Sequence, residues 1–150
     1  MSTAKTSYLY STLPAVLNAG GIDWENDTLK VALLTSAYVP GTTEGAKFSD
    51  ISTHEVAGGD GYTAGGAELD NAALDIDGAF TFLKADDVTW AELTKTFKWG
   101  VVYKVESDPG VSGDDYLILR IDLDAAPSGI DYTIRWSNLG LASFEIVNPA

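Results

Sequence analysis

The stretch YLILRIDL, at Tyr116–Leu123, decides the fold. An apolar residue recurs at every second position, the pattern of a strand with one face against a core. That face comprises Leu117, Leu119, Ile121 and Leu123. Because a lone strand cannot bury an apolar face, this stretch predicts further strands on both sides of it in the chain.

Two strands are predicted downstream. Asp131–Trp136 (DYTIRW) alternates in the same way, and Leu139–Val147 is expected to close the sheet. Between Leu123 and Asp131, Ala125–Gly129 contains Pro127 and is predicted as a turn.

Upstream, Phe97–Val105 (FKWGVVYKV) and Thr28–Ser36 (TLKVALLTS) are predicted as strands, the latter fully buried. Ala79–Lys84 follows Asp77-Gly78, which is typical of a hairpin turn. Weaker strand candidates are Thr53–Val56 and Ala67–Ile76, and Asp86–Trp90 is a turn before a short extended piece or one helical turn. Predicted loops are Ala37–Asp50, Ala57–Gly66 with its five glycines, and Ser107–Asp114.

The first residues are predicted to be helical. Leu9, Leu13, Val16 and Leu17 share one face at helical spacing. Pro14 is costly in a helix interior, which favours a short helix with Thr12 as N-cap and Pro14 in the first turn; the alternative is a longer helix kinked at Pro14. Gly20 and Gly21 end the helix. Residues 1–21 are therefore expected to form an N-terminal arm with a short helix, and residues 22–150 a single β-rich domain.

Seven or eight short strands without strand–helix–strand alternation favour a mainly β fold. The expected architecture is an antiparallel β-sandwich or barrel-like domain with one short N-terminal helix.

Charge and composition exclude several classes of partner. The chain has 150 residues, 22 acidic against 9 basic, and a formal net charge of −13. Such a surface repels phosphate backbones and anionic membranes, so no direct nucleic-acid or membrane partner is expected. There is no cysteine for disulfides or thiolate metal sites, and no apolar run long enough to cross a bilayer. The start lacks the apolar core of a signal peptide, so export by that route is not expected.

Candidate catalytic groups are few. His54 is the only histidine, and it lies beside a predicted loop. The pairs Asp75/Asp77 and Asp122/Asp124 place two carboxylates on one strand face, as glycoside hydrolysis requires. Close acidic pairs are inevitable with this many carboxylates, so no catalytic residue is assigned and the chain is not expected to be an enzyme.

No metal or cofactor site is assigned either. Gly58–Gly61 and Ser107–Asp115 offer oxygen ligands, but neither matches the twelve-residue calcium loop with its terminal Glu. Gly58–Gly66 lacks a phosphate-binding fingerprint. It is either a surface loop with tight turns or a flexible contact loop for a neighbour.

The four tryptophans divide by their positions. Trp99 and Trp136 lie inside apolar strands and are expected in the core. Trp24 and Trp90 lie near turns, which makes them the better candidates for an interface.

An ordered set of motifs over Ile22–Phe144 resembles a family of small virion structural proteins of tailed bacteriophages. The motifs are WENDTLKVAL (Trp24–Leu33), LTSAYVP (Leu34–Pro40), EVAGGDGYTAGGAEL (Glu55–Leu69), ADDVTWAEL (Ala85–Leu93), KWGVVYK (Lys98–Lys104), LILRIDL (Leu117–Leu123) and YTIRWSNLGL (Tyr132–Leu141).

The resemblance implies a non-enzymatic virion component, made in the host cytoplasm, that decorates or cements the capsid shell. Its partners would be the major capsid protein or other virion proteins, in a homo-oligomer or symmetric multi-copy assembly. The alternatives are a neck, tail or fibre component, and a carbohydrate- or cell-binding module.

Overall fold

A computed structural model describes residues 3–40, 47–77, 80–106, 115–137 and 140–147. These residues form ten strands, two short α-helices and one 3-10 turn. In chain order they are β1 (Thr3–Leu9), α1 (Leu13–Asn18), β2 (Leu29–Leu34), α2 (Phe48–Ile51), the 3-10 turn (Ser52–His54), β3 (Ala67–Glu68), β4 (Ala73–Asp77), β5 (Phe80–Lys84), β6 (Val88–Thr94), β7 (Phe97–Lys104), β8 (Leu117–Ala125), β9 (Ser128–Ser137) and β10 (Gly140–Val147).

Eight strands pair in the order β3-β2-β7-β8-β1-β10-β9-β6, and β4 and β5 form a separate hairpin. Every adjacent pair is antiparallel. β1 joins two layers, because Thr3–Thr6 pairs with β10 whereas Ser7–Leu9 pairs with β8. The result is a mainly β, sandwich-like fold, and this prediction from the sequence is confirmed.

The core lies between the layers. An inner cluster of buried side chains joins β2, β7 and β8 on one side to β6 and β9 on the other. It includes Val31, Leu33, Trp90, Leu93, Phe97, Val102, Leu119, Ile121, Leu123, Tyr132, Ile134 and Trp136. Burying this much apolar surface is the main stabilising contribution to such a fold.

A smaller outer cluster covers the opposite face of the β2–β7–β8 layer, called the outer face below. It consists of Tyr10, Ala32, Leu34, Tyr38, Phe48, Ile51, Val101, Tyr103 and Leu117. Because β2 is buried on both faces, its sequence is apolar without alternation, as predicted.

The predicted N-terminal helix is present as α1, with Pro14 in its first turn and Gly20 in the left-handed conformation after its end. The strand β1 ahead of it was not predicted. Its sequence, TAKTSYL, is rich in polar residues. β1 is held by backbone ladders on both sides, and an apolar pattern does not reveal such a strand.

Three local predictions were wrong. Thr53–Val56 is a 3-10 turn followed by a single bridge between Leu34 and Glu55. Ala67–Ile76 is split into β3 and β4 by a turn at Asn71, whose φ is +53°. Leu117 belongs to the outer cluster, because the β7–β8 register shifts between Val102 and Tyr103. The predicted 37–50 loop ends earlier than expected, because α2 begins at Phe48. Gly78, residues 41–46 of that loop and Ser107–Asp114 lie outside the described residues.

Candidate functional site

A bulge near the end of β8, opposite Lys98 of β7, builds the most polar part of the outer face. Phe97 pairs with Ala125 but Trp99 pairs with Asp122, so Leu123 and Asp124 of β8 stand opposite the single residue Lys98. A bulge of this kind bends its strand and re-aims the side chains. Phe97 points into the inner cluster, whereas Trp99 packs against the outer cluster and Lys98 reaches carboxylates of β8.

The carboxylate pair Asp122/Asp124 shares one face of β8, as predicted, and meets a lysine there. The Lys98 Nζ donates a 2.8 Å hydrogen bond to Oδ1 of Asp122 and lies 3.9 Å from Oδ2 of Asp124. The hydrogen bond to Asp122 raises the pKa of the Lys98 ammonium, and partial desolvation opposes the rise. The cation that the Asp122/Asp124 pair contacts is therefore the Lys98 ammonium of the same chain.

Arg120 lies among aromatic rings beside this ion pair. Its guanidinium carbon is 4.9 Å from the ring centroid of Tyr8, 5.8 Å from that of Trp99 and 6.0 Å from that of Tyr10. The Trp99 ring meets Tyr38 edge-on at 6.2 Å. These five residues are called the arginine–aromatic cluster below.

Part of the arginine–aromatic cluster is open to solvent. Tyr8 is 44% exposed. Its neighbour Leu9 is 57% exposed, but it pairs with Leu119 and faces the other side of β1. Val39, which follows Tyr38 in the chain, is 48% exposed. Apolar and aromatic side chains thus remain uncovered at this position of a strongly acidic chain.

A groove opens beside the bulge. Its volume is about 370 Å³, and its lining residues are Thr35, Ser36, Thr96, Phe97, Lys98 and Asp124. Asp124 has a φ of +46°, in the left-handed region that residues other than glycine rarely adopt. Asp124 is one of the two bulged residues of β8, so the bulge and the left-handed backbone are the same irregularity.

The glycine-rich loop at 58–66 is tied to its surroundings. The Glu55 carboxylate accepts hydrogen bonds from the Gly65 amide at 2.5 Å and the Tyr62 hydroxyl at 2.6 Å. The Tyr103 hydroxyl donates to the Gly65 carbonyl. At Gly61 a Cβ would lie 2.7 Å from a carbonyl oxygen of β6. The loop packs against both β2 and β6. These contacts favour a surface loop with tight turns over a flexible contact loop, the two interpretations given above.

The remaining candidates do not form a site in the described residues. The His54 ring lies 6.2 Å from the Tyr38 ring. The side chains of Asp75 and Asp77, and all of Ser107–Asp115 except Asp115, lie outside the described part. Among the described residues, no group of three or more His, Asp or Glu side chains is placed to hold a metal ion. Asp115 is buried, and its carboxylate accepts a 2.6 Å hydrogen bond from the Ser49 backbone amide.

The prediction for the tryptophans was wrong in three of four cases. Trp24 and Trp90 are buried in the inner cluster together with Trp136, whereas Trp99 is only half-buried on the outer face. The sequence offers no sign of this, because Trp99 shares the outer face of β7 with Val101 and Tyr103, and a strand that is apolar on both faces does not show which residue stays partly exposed. Arg120 was not singled out, although it and Asp122 are the two charged residues inside an apolar alternating run.

In the part of the chain that the structure describes, no helix has the length and apolar character needed to cross a membrane. No protein-family model, curated protein or solved structure matches this chain.

Proposed function

We propose that this chain is a non-enzymatic structural protein of a bacteriophage virion that decorates or cements the capsid shell. It would be made in the host cytoplasm, join the particle in many symmetric copies, and contact the major capsid protein or another virion protein. The observation that carries the proposal is the arginine–aromatic cluster, which lies on the sheet and is partly exposed through Tyr8.

The composition of the cluster supports protein binding. Tryptophan, tyrosine and arginine are the residues most enriched at the energetic centres of protein interfaces. Here Trp99, Tyr8 and Arg120 project from three neighbouring strands, β7, β1 and β8. Side chains held by strands lose little conformational freedom on binding, which favours affinity.

The charge of the chain selects the kind of partner. With a net charge of −13, two copies of this protein repel each other in solution. Asp122 and Asp124 add carboxylates next to the cluster. A shell surface that is basic around an acidic or aromatic group therefore complements this face best, because the carboxylates lie beside the cluster and the Arg120 guanidinium lies at its centre.

The edges of the sheet support contact through a face instead of through strand pairing. β6, at one end of the strand order, has register shifts after Trp90 and a left-handed residue at Glu92. Gly61 of the glycine-rich loop packs closely against the same part of β6. Bulges and covering loops are the usual means of preventing edge-to-edge association.

The test uses purified shells that lack this chain. Wild-type protein is expected to bind them in a fixed stoichiometry, and Arg120→Glu and Tyr8→Ser are each expected to weaken binding at least about tenfold. Arg135→Glu is the matched control, because Arg135 is an exposed arginine of β9 that pairs with Asp87 outside the cluster. Circular dichroism checks that each variant is folded.

Particle imaging supplies the contrary outcomes. Absence of the chain from purified virions would refute a virion role. Density confined to the neck, tail or fibres would refute shell decoration. Unchanged shell binding by folded Arg120→Glu and Tyr8→Ser would mean that another surface makes the contact.

A further inference from the structure

We infer that the groove beside the β8 bulge is a binding site for a neutral hexose unit of a glycan. The inference goes beyond the proposed virion role and does not depend on it, because it concerns a different set of side chains from the arginine–aromatic cluster.

One departure from regular strand geometry, the β8 bulge, lies at this groove. It brings the left-handed Asp124 of β8 and Lys98 of β7 to the same wall. A left-handed conformation at a residue with a side chain costs free energy and persists where the surroundings impose it. Backbone outliers of this kind concentrate at functional sites.

The lining matches the groups that a sugar presents. Thr35, Ser36 and Thr96 provide three hydroxyls, each able to donate and accept a hydrogen bond. The Asp124 carboxylate accepts hydrogen bonds. Its side chain is 75% exposed, and the Lys98 Nζ lies 3.9 Å away. A polyol offers donors and acceptors on adjacent carbons, which suits a wall of alternating hydroxyl and charged groups.

Lys98 supplies the complementary donor. Its ammonium has three N–H bonds, and within the described residues it makes one short hydrogen bond, to Asp122. That bond fixes the position of Nζ and leaves donors for a ligand oxygen. Phe97 lines the base of the groove, but its ring is buried in the inner cluster and only 2% exposed, so the polar groups make the contacts with the ligand.

Size and charge narrow the class of ligand. At about 370 Å³ the groove lies at the small end of the range of roughly 300–1,000 Å³ found for small-molecule sites. Lys98 is outnumbered locally by Asp122 and Asp124, and the whole chain is acidic. Sialic acids, sugar phosphates and other anions are therefore disfavoured relative to an uncharged hexose.

The experiment measures binding of small sugars to the whole chain by NMR titration. The probes are the methyl glycosides of glucose, galactose and N-acetylglucosamine, with sialyllactose as the anionic comparison. At least one neutral glycoside is expected to bind with a Kd of about 1–10 mM. Sialyllactose is expected to bind more weakly.

Two variants locate the site. Asp124→Asn keeps a side chain that tolerates the left-handed backbone and is expected to weaken binding about tenfold, since a charged acceptor is lost. Thr96→Val removes one hydroxyl with little change of shape and is expected to weaken binding several-fold. Glu68→Gln, at an exposed position on β3, removes the same charge elsewhere and should leave Kd unchanged.

Three results would overturn the inference: no binding by any of the three glycosides, stronger binding of sialyllactose, or equal binding by wild type and Asp124→Asn. None of them bears on shell binding, which is tested by Arg120→Glu. Failure of the glycan site and failure of the virion role are therefore distinguishable.

Discussion

Among single residues, Gly66 is the tightest contact between the glycine-rich loop and β2. Its φ is +91°, and a Cβ there would overlap the Val31 carbonyl group and lie 2.8 Å from the Cα of Ala32. No side-chain rotation relieves a clash with backbone. Gly66→Ala is expected to lower the free energy of unfolding by about 3 kcal/mol, measured by urea denaturation.

Gly59→Ala is the control within the same loop. Gly59 also has a positive φ, +103°, but no described atom lies within 4 Å of its Cβ position. Only backbone strain is then added, which costs about 1–2 kcal/mol. Equal losses for the two variants would contradict the close packing of Gly66.

The sequence predicts part of this residue-scale picture. Five glycines in ten residues predict an irregular loop with positive φ angles, and six described glycines have them, four of these in the loop. The sequence does not reveal that Gly61 faces β6 or that Gly66 faces β2. Those contacts depend on where strands distant in the chain come together.

Among the elements, β1 has the most demanding position. Thr3–Thr6 completes the ladder of β10 and Ser7–Leu9 that of β8, so one strand joins both layers. Deleting residues 1–9 leaves two unpaired edges in the middle of the strand order. The truncated chain is expected to lose cooperative thermal unfolding and its near-ultraviolet circular dichroism.

Leu9→Ser separates the backbone contribution of β1 from that of its side chains. Leu9 is mostly exposed, so this change is expected to alter stability by less than about 0.5 kcal/mol. A truncated chain that still unfolds cooperatively at a similar temperature would mean that residues 1–21 form a separable arm, as expected from the sequence.

Strands with a strong apolar pattern are predicted almost to the residue. β2, β7 and β8 fall within the predicted stretches or extend them by two residues. β1 is not predicted, because neighbours satisfy its backbone on both sides. The candidate site is not predicted either, because it arises from the β8 bulge opposite Lys98, where Asp124 is left-handed. Such register irregularities have no signature in a single strand's sequence.

In the molecule as a whole, three buried tyrosines link stability to alkaline pH. Burial raises the pKa of Tyr62, Tyr103 and Tyr132, and the hydrogen bond with Glu55 raises that of Tyr62 further. In the unfolded chain these phenols lose their protons near pH 10. Above that pH the native state holds more protons than the unfolded state, so stability falls as pH rises.

Tyr132 makes this whole-molecule linkage testable, because its buried hydroxyl has no hydrogen-bond partner among the described residues. Below pH 9 the free energy of unfolding should be independent of these groups. Above pH 10 each tyrosine should lower it by about 1.4 kcal/mol per pH unit, until the native phenols ionise. Tyr132→Phe should be neutral or stabilising at pH 7 and remove one share of the alkaline slope. Urea unfolding at several pH values gives the slope for wild type and for Tyr132→Phe, and tyrosinate absorbance reports ionisation of the native phenols. An equal alkaline slope in the two proteins, or native ionisation of these tyrosines near pH 10, would show that Tyr132 is not buried as a neutral phenol.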